Sequence, residues 1–482
     1  MRVNPQQPVA HAVESNTGNK DEQCPLISDG SKQTQWSGLM LRNILMLLFA
    51  ISYSTFMLCK TQFLYKRISD TRSSSAFNKS AVTCGKINGS LAEDESQTEA
   101  ATLTWHLSLV QMSISIPMIA LLGTYSDVIG RKYCLSFSFV ANSLLYGCMS
   151  LVAAFDLPLD YLYIGYAISG LGGAQFNLFA TLSASVADLT VASKSRSLAF
   201  ALLYFSAGVG LSSSEFVEGF IIKSSGFVWL LAFAFLLLLL AAALVILFFK
   251  NEVEVKSSGF RNILSNLKTF ISDKENKRFP IWVYIASLVG FLFFYAPNDN
   301  REDIEILLQL RTPFCWDSQY IGWFQSAESA VHMLAGPSLM MILQKCFSDE
   351  TIAVLGLLSG MGFYLMFAFA VTDWMIYAGA GIGILLMAFP PCLKVSLSKM
   401  VPPEYQGTLF AVIYLVSVVS TMAGSTIFNN IYAHTQTSIR GLTFLVMAGF
   451  NLMSVAIIIS VIVFKKSDRG MQITSAIINI ND

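Results

Sequence analysis

Charge is scarce in this chain. Only 13% of its 482 residues are Asp, Glu, Lys or Arg, against 54% hydrophobic. That balance leaves too little polar surface to clothe a water-soluble globule of this length. Basic and acidic residues cancel at 31 each, and no basic, aromatic-interleaved patch offers a footprint for nucleic acid. Histidine is limited to four residues, and no Cys/His cluster has the spacing of a metal site. A glycine-rich phosphate loop and a nucleophile triad are also missing, which excludes an ATP-driven machine and argues against an enzyme. No cofactor is expected. Residues 1–38 carry Pro5, Pro8, Gly18 and Pro25 but no apolar core run, so they read as a disordered tail rather than a cleavable signal.

What the chain has in abundance is long apolar runs. A crossing helix needs about 20 mostly apolar residues, because it rises about 1.5 Å per residue through about 30 Å of hydrocarbon. Runs at 39–64, 103–124, 133–155, 159–184, 198–220, 227–249, 280–300, 319–342, 351–371, 374–396, 408–430 and 441–464 meet that need. The expected fold class is an all-α membrane protein with twelve transmembrane helices. It divides into two six-helix halves, 39–249 and 280–464, joined by a linker at 250–279 and followed by a tail at 465–482. A lipid bilayer is therefore the first partner, and oligomeric state is left open. With both ends cytoplasmic, the short inner connections gather Arg131, Lys132, Lys194, Arg196, Lys345, Lys399 and seven basic residues between Lys250 and Arg278, as the positive-inside rule asks.

The connection after the second run holds the sharpest motif: Gly123, Asp127, Gly130, Arg131 and Lys132, spaced Gly-x3-Asp-x2-Gly-Arg-Lys. Glycine allows a tight turn and close helix approach. Asp127 suits the start of the next helix. The planar fork of Arg131 suits a carboxylate, and Asp188, ending the fourth run, is the natural partner. Such pairs are expected to form when the cytoplasmic side closes and to break when it opens, with Arg196 close by. In this position the motif resembles the gating turn of the major facilitators, and implies their fold. An internal repeat agrees: Ser169, Gly170 and Gly172 recur about 211 residues later as Ala380, Gly381 and Gly383, and Ser197–Phe200 recurs as Gly407–Phe410. Two similar halves with a solute site between them follow.

Charges inside a bilayer are costly, so they mark cavities or pairs. Lys60, Glu215 and Glu218 lie near outer ends, where reaching the headgroups competes with lining a cavity. Asp299, Arg301, Glu302 and Asp303 read as an outer turn or as outer-gate ion pairs. Glu328 and His332 are one helical turn apart on the eighth run. Lys394 lies inside the tenth run just after Pro390 and Pro391, which free backbone groups to line a cavity. It is expected to touch an anionic substrate or to pair with a proton-carrying carboxylate, for which Glu328 is the candidate. Gln175, Asn177 and Tyr204 are polar candidates for the cavity wall.

The long outer loop at 66–102 holds the sequons Asn78 and Asn88, expected to be glycosylated. Cys84 and Cys315 are the two cysteines on the oxidising side and form the one plausible disulfide. In the tail, Glu22, Leu26 and Ile27 match the acidic dileucine pattern by which sorting adaptors address proteins to endosomes and lysosomes.

Beyond these features, Thr61–Ile68, Thr312–Ser318, Ser185–Asp188, Lys394–Lys399, Gln406–Phe410 and Ile427–Tyr432 resemble the proton-coupled folate transporter family and its lysosomal sister carriers. The resemblance implies proton symport of an organic anion or metabolite into the cytosol, with folates, cyclic dinucleotides, muropeptides and lysosomal catabolites as the solute classes. It also implies a disulfide between Cys315 and the first outer loop. The chain departs where the family's folate carrier has functional residues: Tyr204 replaces a glutamate, Asn298 stands near a histidine, and Lys394 replaces an arginine.

Overall fold

The computed structural model describes residues 29–75, 90–128, 130–189, 194–249, 279–401, 406–436 and 438–481, almost all of them helical. Apolar runs without internal polar partners satisfy their backbone groups within the helix, and that is what a crossing segment must do. The first half holds α1 (Asp29–Ser75), α2 (Ser90–Val128), α3 (Arg131–Ala154), a fourth rod of α4 (Tyr161–Leu171) and α5 (Ala174–Leu189), then α6 (Lys194–Ser225) and α7 (Phe227–Phe248). The second half begins with α8 (Ile281–Asn298) continued by α9 (Arg301–Leu310), then α10 (Ser318–Ala330) continued by α11 (Gly336–Leu343). It closes with α12 (Asp349–Ala368), α13 (Asp373–Ile382) and its continuation α14 (Phe389–Ser398), α15 (Gln406–Thr435) and α16 (Leu442–Asn481).

Among the described residues, ten helices are long and apolar enough to cross a membrane. The other two expected crossings, 159–184 and 319–342, are helical but broken. The fourth rod breaks at Gly173 and Ala174, with φ of 75° and 48°. The eighth widens into a π turn at Val331–Ala335. The repeated Gly-x-Gly marks a break in both halves: α4 stops at Gly172, and α13 gives way to a 3-10 turn at Gly383–Ala388. A Cβ on Gly172 would meet Ala141 Cβ at 2.5 Å, so the α3–α4 contact fixes that break.

Helix extends further than the apolar runs. α1 begins at Asp29, inside the expected disordered tail, and α16 runs through the expected tail to Asn481. The 66–102 loop is helical at both of its ends, and Arg72 pairs with Glu95 and Glu99 between them. The 280–300 run does not end in an outer turn. It continues as α9, whose residues Asp303–Gln309 are buried.

The halves meet along α2 against α15, α6 against α10 and α1 against α9. We call the face where α1 begins and α15 starts the terminal face, and the other the far face. Hydrogen bonds described between the halves run from the far face to the level of Ser113 and Met422. They include Gln97 Nε2 to the Leu307 carbonyl (3.1 Å), Tyr432 Oη to Gln97 (2.7 Å), Gln436 Nε2 to Thr98 (2.6 Å) and Trp105 Nε1 to Thr426 (3.1 Å). α6 and α10 touch backbone to backbone there. A Cβ on Gly219 would meet the Ser318 carbonyl at 2.5 Å and Gly322 Cα at 2.9 Å.

Candidate functional site

Two polar layers lie between the halves. The layer nearer the terminal face is built around Lys394. Pro390 and Pro391 start α14, where missing N–H groups cost nothing, and place Lys394 in its second turn. The Lys394 Nζ stands 5.0 Å from the centroid of the Tyr414 ring on α15, a cation–π distance. Tyr204 on α6 lies beside both Lys394 and Tyr414, and the buried Ser183 hydroxyl of α5 faces the two tyrosines. Tyr295 on α8 completes the group. Among the described residues Lys394 forms no ion pair, so the expected pairing with a carboxylate of Glu328 is not what the structure shows. A free ammonium among phenol hydroxyls can hold one anionic group.

The layer nearer the far face is rich in carboxylates. Arg301 at the start of α9 pairs with Glu305 at 3.0 Å and with Glu328 of α10, and its Nη2 stands 3.3 Å from His332 Nδ1. The guanidinium also lies 4.8 Å from the Phe363 ring centroid. Lys60 of α1 pairs with Asp303 of α9 at 2.9 Å, and Thr61 donates to the same carboxylate at 2.5 Å. Lys60, Glu215 and Glu218 are all at least nine-tenths buried, so none of them reaches the headgroups. Glu218 accepts from Ser54 and Thr55 of α1. Asp299 accepts from Thr421 at 2.7 Å. Arg301 and Asp303 of the 299–303 cluster therefore make ion pairs inside the bundle rather than forming an exposed turn.

Other expectations fall differently. Arg131 is bonded to Asp188, as the motif predicts, but both belong to the first half, so the bond by itself does not hold the halves together. Gly130 has φ of 105°, which glycine alone adopts readily. Gly123 lies on α2 and Lys132 on α3. The side chains of Asp127 and Arg196 lie outside the described residues. Asn177 is not a cavity residue: it is buried and donates to Ser138 Oγ at 2.7 Å, tying α5 to α3. Gln175, two residues earlier, is half-buried. Cys84, Asn78, Asn88, Glu22, Leu26 and Ile27 lie outside the described residues, as does the linker at 250–278. Cys315 is disulfide-bonded.

The sequence reading did not single out Glu305, Tyr414, Tyr295, Tyr53 or Thr421. A signal for Glu305 existed: Arg301 and Glu305 are four apart in a segment whose apolar and charged residues alternate with helical period.

Two helical halves with polar layers between them define a membrane transporter rather than an enzyme. Residues 43–425 match the Major Facilitator Superfamily, and the chain belongs to it. Within that superfamily the chain is similar to the proton-coupled folate transporter of Rattus norvegicus, 27% identical over 411 residues, covering 83% of this chain and 87% of the relative. It is 26% identical to the lysosomal proton-coupled steroid conjugate and bile acid symporter SLC46A3 of Homo sapiens, covering 82% and 88%. Among solved structures it resembles the human organic anion transporter MFSD10 with a TM-score of 0.60 at 14% identity, over 88% of this chain and 99% of that one. The chain is a secondary active transporter.

Proposed function

We propose that this protein carries an organic anion or metabolite into the cytosol by proton symport with alternating access. The observation that carries the reading is Lys394, which among the described residues forms no ion pair and stands among tyrosines contributed by both halves. A solute's anionic group held there touches both bodies that must move. The similar folate and bile acid carriers are named as proton-coupled, which supports the proton as coupling ion. Lys60–Asp303 is a buried ion pair between the halves. Parting of that pair would loosen the far-face contact. Solute and proton then enter together, and the halves close again over them. Both termini are read as cytoplasmic, on the positive-inside bias.

The address is either the lysosomal or endosomal membrane or the cell surface, with Glu22, Leu26 and Ile27 as the sorting signal. Cys84 is proposed as the partner of Cys315, and Asn78 and Asn88 as glycan sites. In liposomes containing the full chain, uptake of folic acid, a cyclic dinucleotide and a muropeptide fragment is measured at pH 5.5 and 7.4. At least one is expected to accumulate faster at the acidic pH and to lose that advantage when an ionophore collapses the gradient. Uptake equal at the two pH values would make the protein a uniporter, and no uptake with intact partner binding would make it a scaffold.

A further inference from the structure

Arg301 is asked to answer two carboxylates. Its guanidinium lies 3.0 Å from Glu305 and is bonded to Glu328 as well. His332 adds no second cation. Arg301 Nη2 stands 3.3 Å from His332 Nδ1, and a guanidinium can only donate, so that ring nitrogen accepts and the imidazole is neutral. Counted together, Arg301, Glu305, Glu328 and His332 carry one negative charge. Glu305, Glu328 and His332 are 0%, 2% and 1% exposed, and the Oε2 atom of each glutamate has no hydrogen-bond partner. The neighbours do not restore the balance. Lys60 of α1 is taken by Asp303. Glu302 faces Arg301 and Lys60 and adds another acid, Glu215 of α6 faces Glu328, and the Tyr364 phenol of α12 faces the guanidinium and both glutamates. A net charge this far from water is costly, and a carboxylate relieves it by taking a proton.

α9 joins this cluster to the interface between the halves. Arg301 and Glu305 are one turn apart on one face of it. Asp303 lies about 200° round the same helix from each, with Leu307 one turn beyond it. There Lys60 and Gln97 of the first half hold the Asp303 carboxylate and the Leu307 carbonyl. A rod of ten residues with the clamp on one side and the first half on the other cannot be shifted at one face alone. α10 is placed alike. Ser326, about 200° round from Glu328, donates to the Ser212 carbonyl of α6 at 2.6 Å. Glu328 itself leads into the π turn at Val331–Ala335, a feature that often marks a functional segment of a helix.

We propose that Glu305 and Glu328 share one proton around Arg301 and that this is the coupling proton, held apart from the solute's anionic group at Lys394. This rests on the transport reading and gives its proton a site. The proton comes from the far side while the halves are parted there, and adds to one of the two carboxylates. Arg301 and the other glutamate then form a neutral pair, and the cluster can be buried as the far face closes. With the terminal side open, the proton leaves past Arg301, whose side chain is 12% exposed against 0% and 3% for the two glutamates. The cluster is then an anion again, which favours water around it and works against the closed far face.

The test is infrared difference spectroscopy of the full chain in lipid vesicles at pH 5.5, reading the C=O stretch of a protonated carboxyl group. Spectra of Glu305→Gln, Glu328→Gln and Glu302→Gln are each subtracted from that of the unaltered chain. One proton shared by a pair gives the same lost band in either of the first two variants, since the acid that remains is ionised against Arg301. That band should persist in Glu302→Gln. In liposomes, whichever of folic acid, the cyclic dinucleotide and the muropeptide fragment the unaltered chain takes up is followed at pH 5.5 and 7.4. The ratio of the two rates should fall to parity in Glu305→Gln and in Glu328→Gln and survive in Glu302→Gln. Glutamine keeps the shape of glutamate, and melting curves report whether each variant is folded. Loss of the band in one member of the pair only, or in neither, overturns the inference. So does an acid advantage that survives in either variant of the pair. A shared band in a chain that takes up none of the three probes supports the proton site and overturns the transport reading.

Discussion

The two ends of the interface between the halves are held in opposite ways. At the far end, bonds cross from one half to the other: Lys60 to Asp303, Gln97 to the Leu307 carbonyl, Gln436 to Thr98, Ser326 to the Ser212 carbonyl. At the terminal end, the described bonds stay inside each half: Arg131 to Asp188, Arg42 to Ser185, Lys399 to Asp349 at 2.8 Å, and Lys465 to Glu350. The first kind of bond decides whether the halves stay together. The second kind makes each half stiff enough to turn as one body. Rocking of the halves against each other uses both, an interface that can part and halves that move as bodies. The Arg131–Asp188 bond at the end of the charged turn is of the second kind, since both residues belong to the first half.

The largest effect belongs to the clamp inside the second half at the far level, broken by Arg301→Met. It leaves Glu305 and Glu328 buried with no cation, a loss of about 3–5 kcal/mol, read as a fall in melting temperature and in folded yield. Adding Glu305→Gln and Glu328→Gln to the same chain should recover most of the loss; if it does not, the clamp is not what stabilises α9 against α10.

Gly219→Ala is next. Its Cβ would meet backbone of α10 at less than 3 Å, so α6 and α10 must separate, at about 1–3 kcal/mol. Far-face cysteines introduced beside Tyr320 should become more reactive to a membrane-impermeant maleimide. Unchanged labelling would mean that the far end is not closed by this contact.

Lys394→Gln probes the other end. Stability should stay within about 0.5 kcal/mol, since no ion pair is lost. Proton-driven uptake should fall at least tenfold, about 1.4 kcal/mol. An equal loss in melting temperature would mark Lys394 as a packing residue instead.

The smallest effect belongs to Lys223 and Asp317, an exposed pair at 2.6 Å that ties α6 to the start of α10. Partial burial pushes the Asp317 carboxyl up, but the Lys223 ammonium and the Tyr320 N–H outweigh it and hold it below the usual carboxylate range. A depressed carboxylate stabilises the folded state above its unfolded value and stops doing so as pH falls through the folded one. Lys223→Ala should therefore cost less than about 1 kcal/mol at neutral pH. The difference from the unaltered chain should disappear on titration below about pH 4. A difference that grows toward acid would reverse the assignment.

Much of this protein was legible in its sequence. Long uncharged runs such as Phe227–Phe248 must cross a membrane, because no other surroundings accept them, and they must be helical, because lipid offers no partner for a backbone. The Arg131–Asp188 bond was readable too, since a guanidinium and a carboxylate at neighbouring helix ends have few alternatives. Lys394 stood out because a charge inside an apolar run needs a reason. The sequence could not say that Asp299–Asp303 lies inside the bundle, since a charged pentapeptide after an apolar run has the composition of a surface turn. Nor could it say that Glu305 answers Arg301, that Asn177 ties α3 to α5, or that Tyr414 meets Lys394. Hydropathy is a property of each segment and survives without its neighbours. Pairing of buried charges depends on which helices stand side by side, and residues 243 positions apart, Lys60 and Asp303, meet only after both halves have folded and docked.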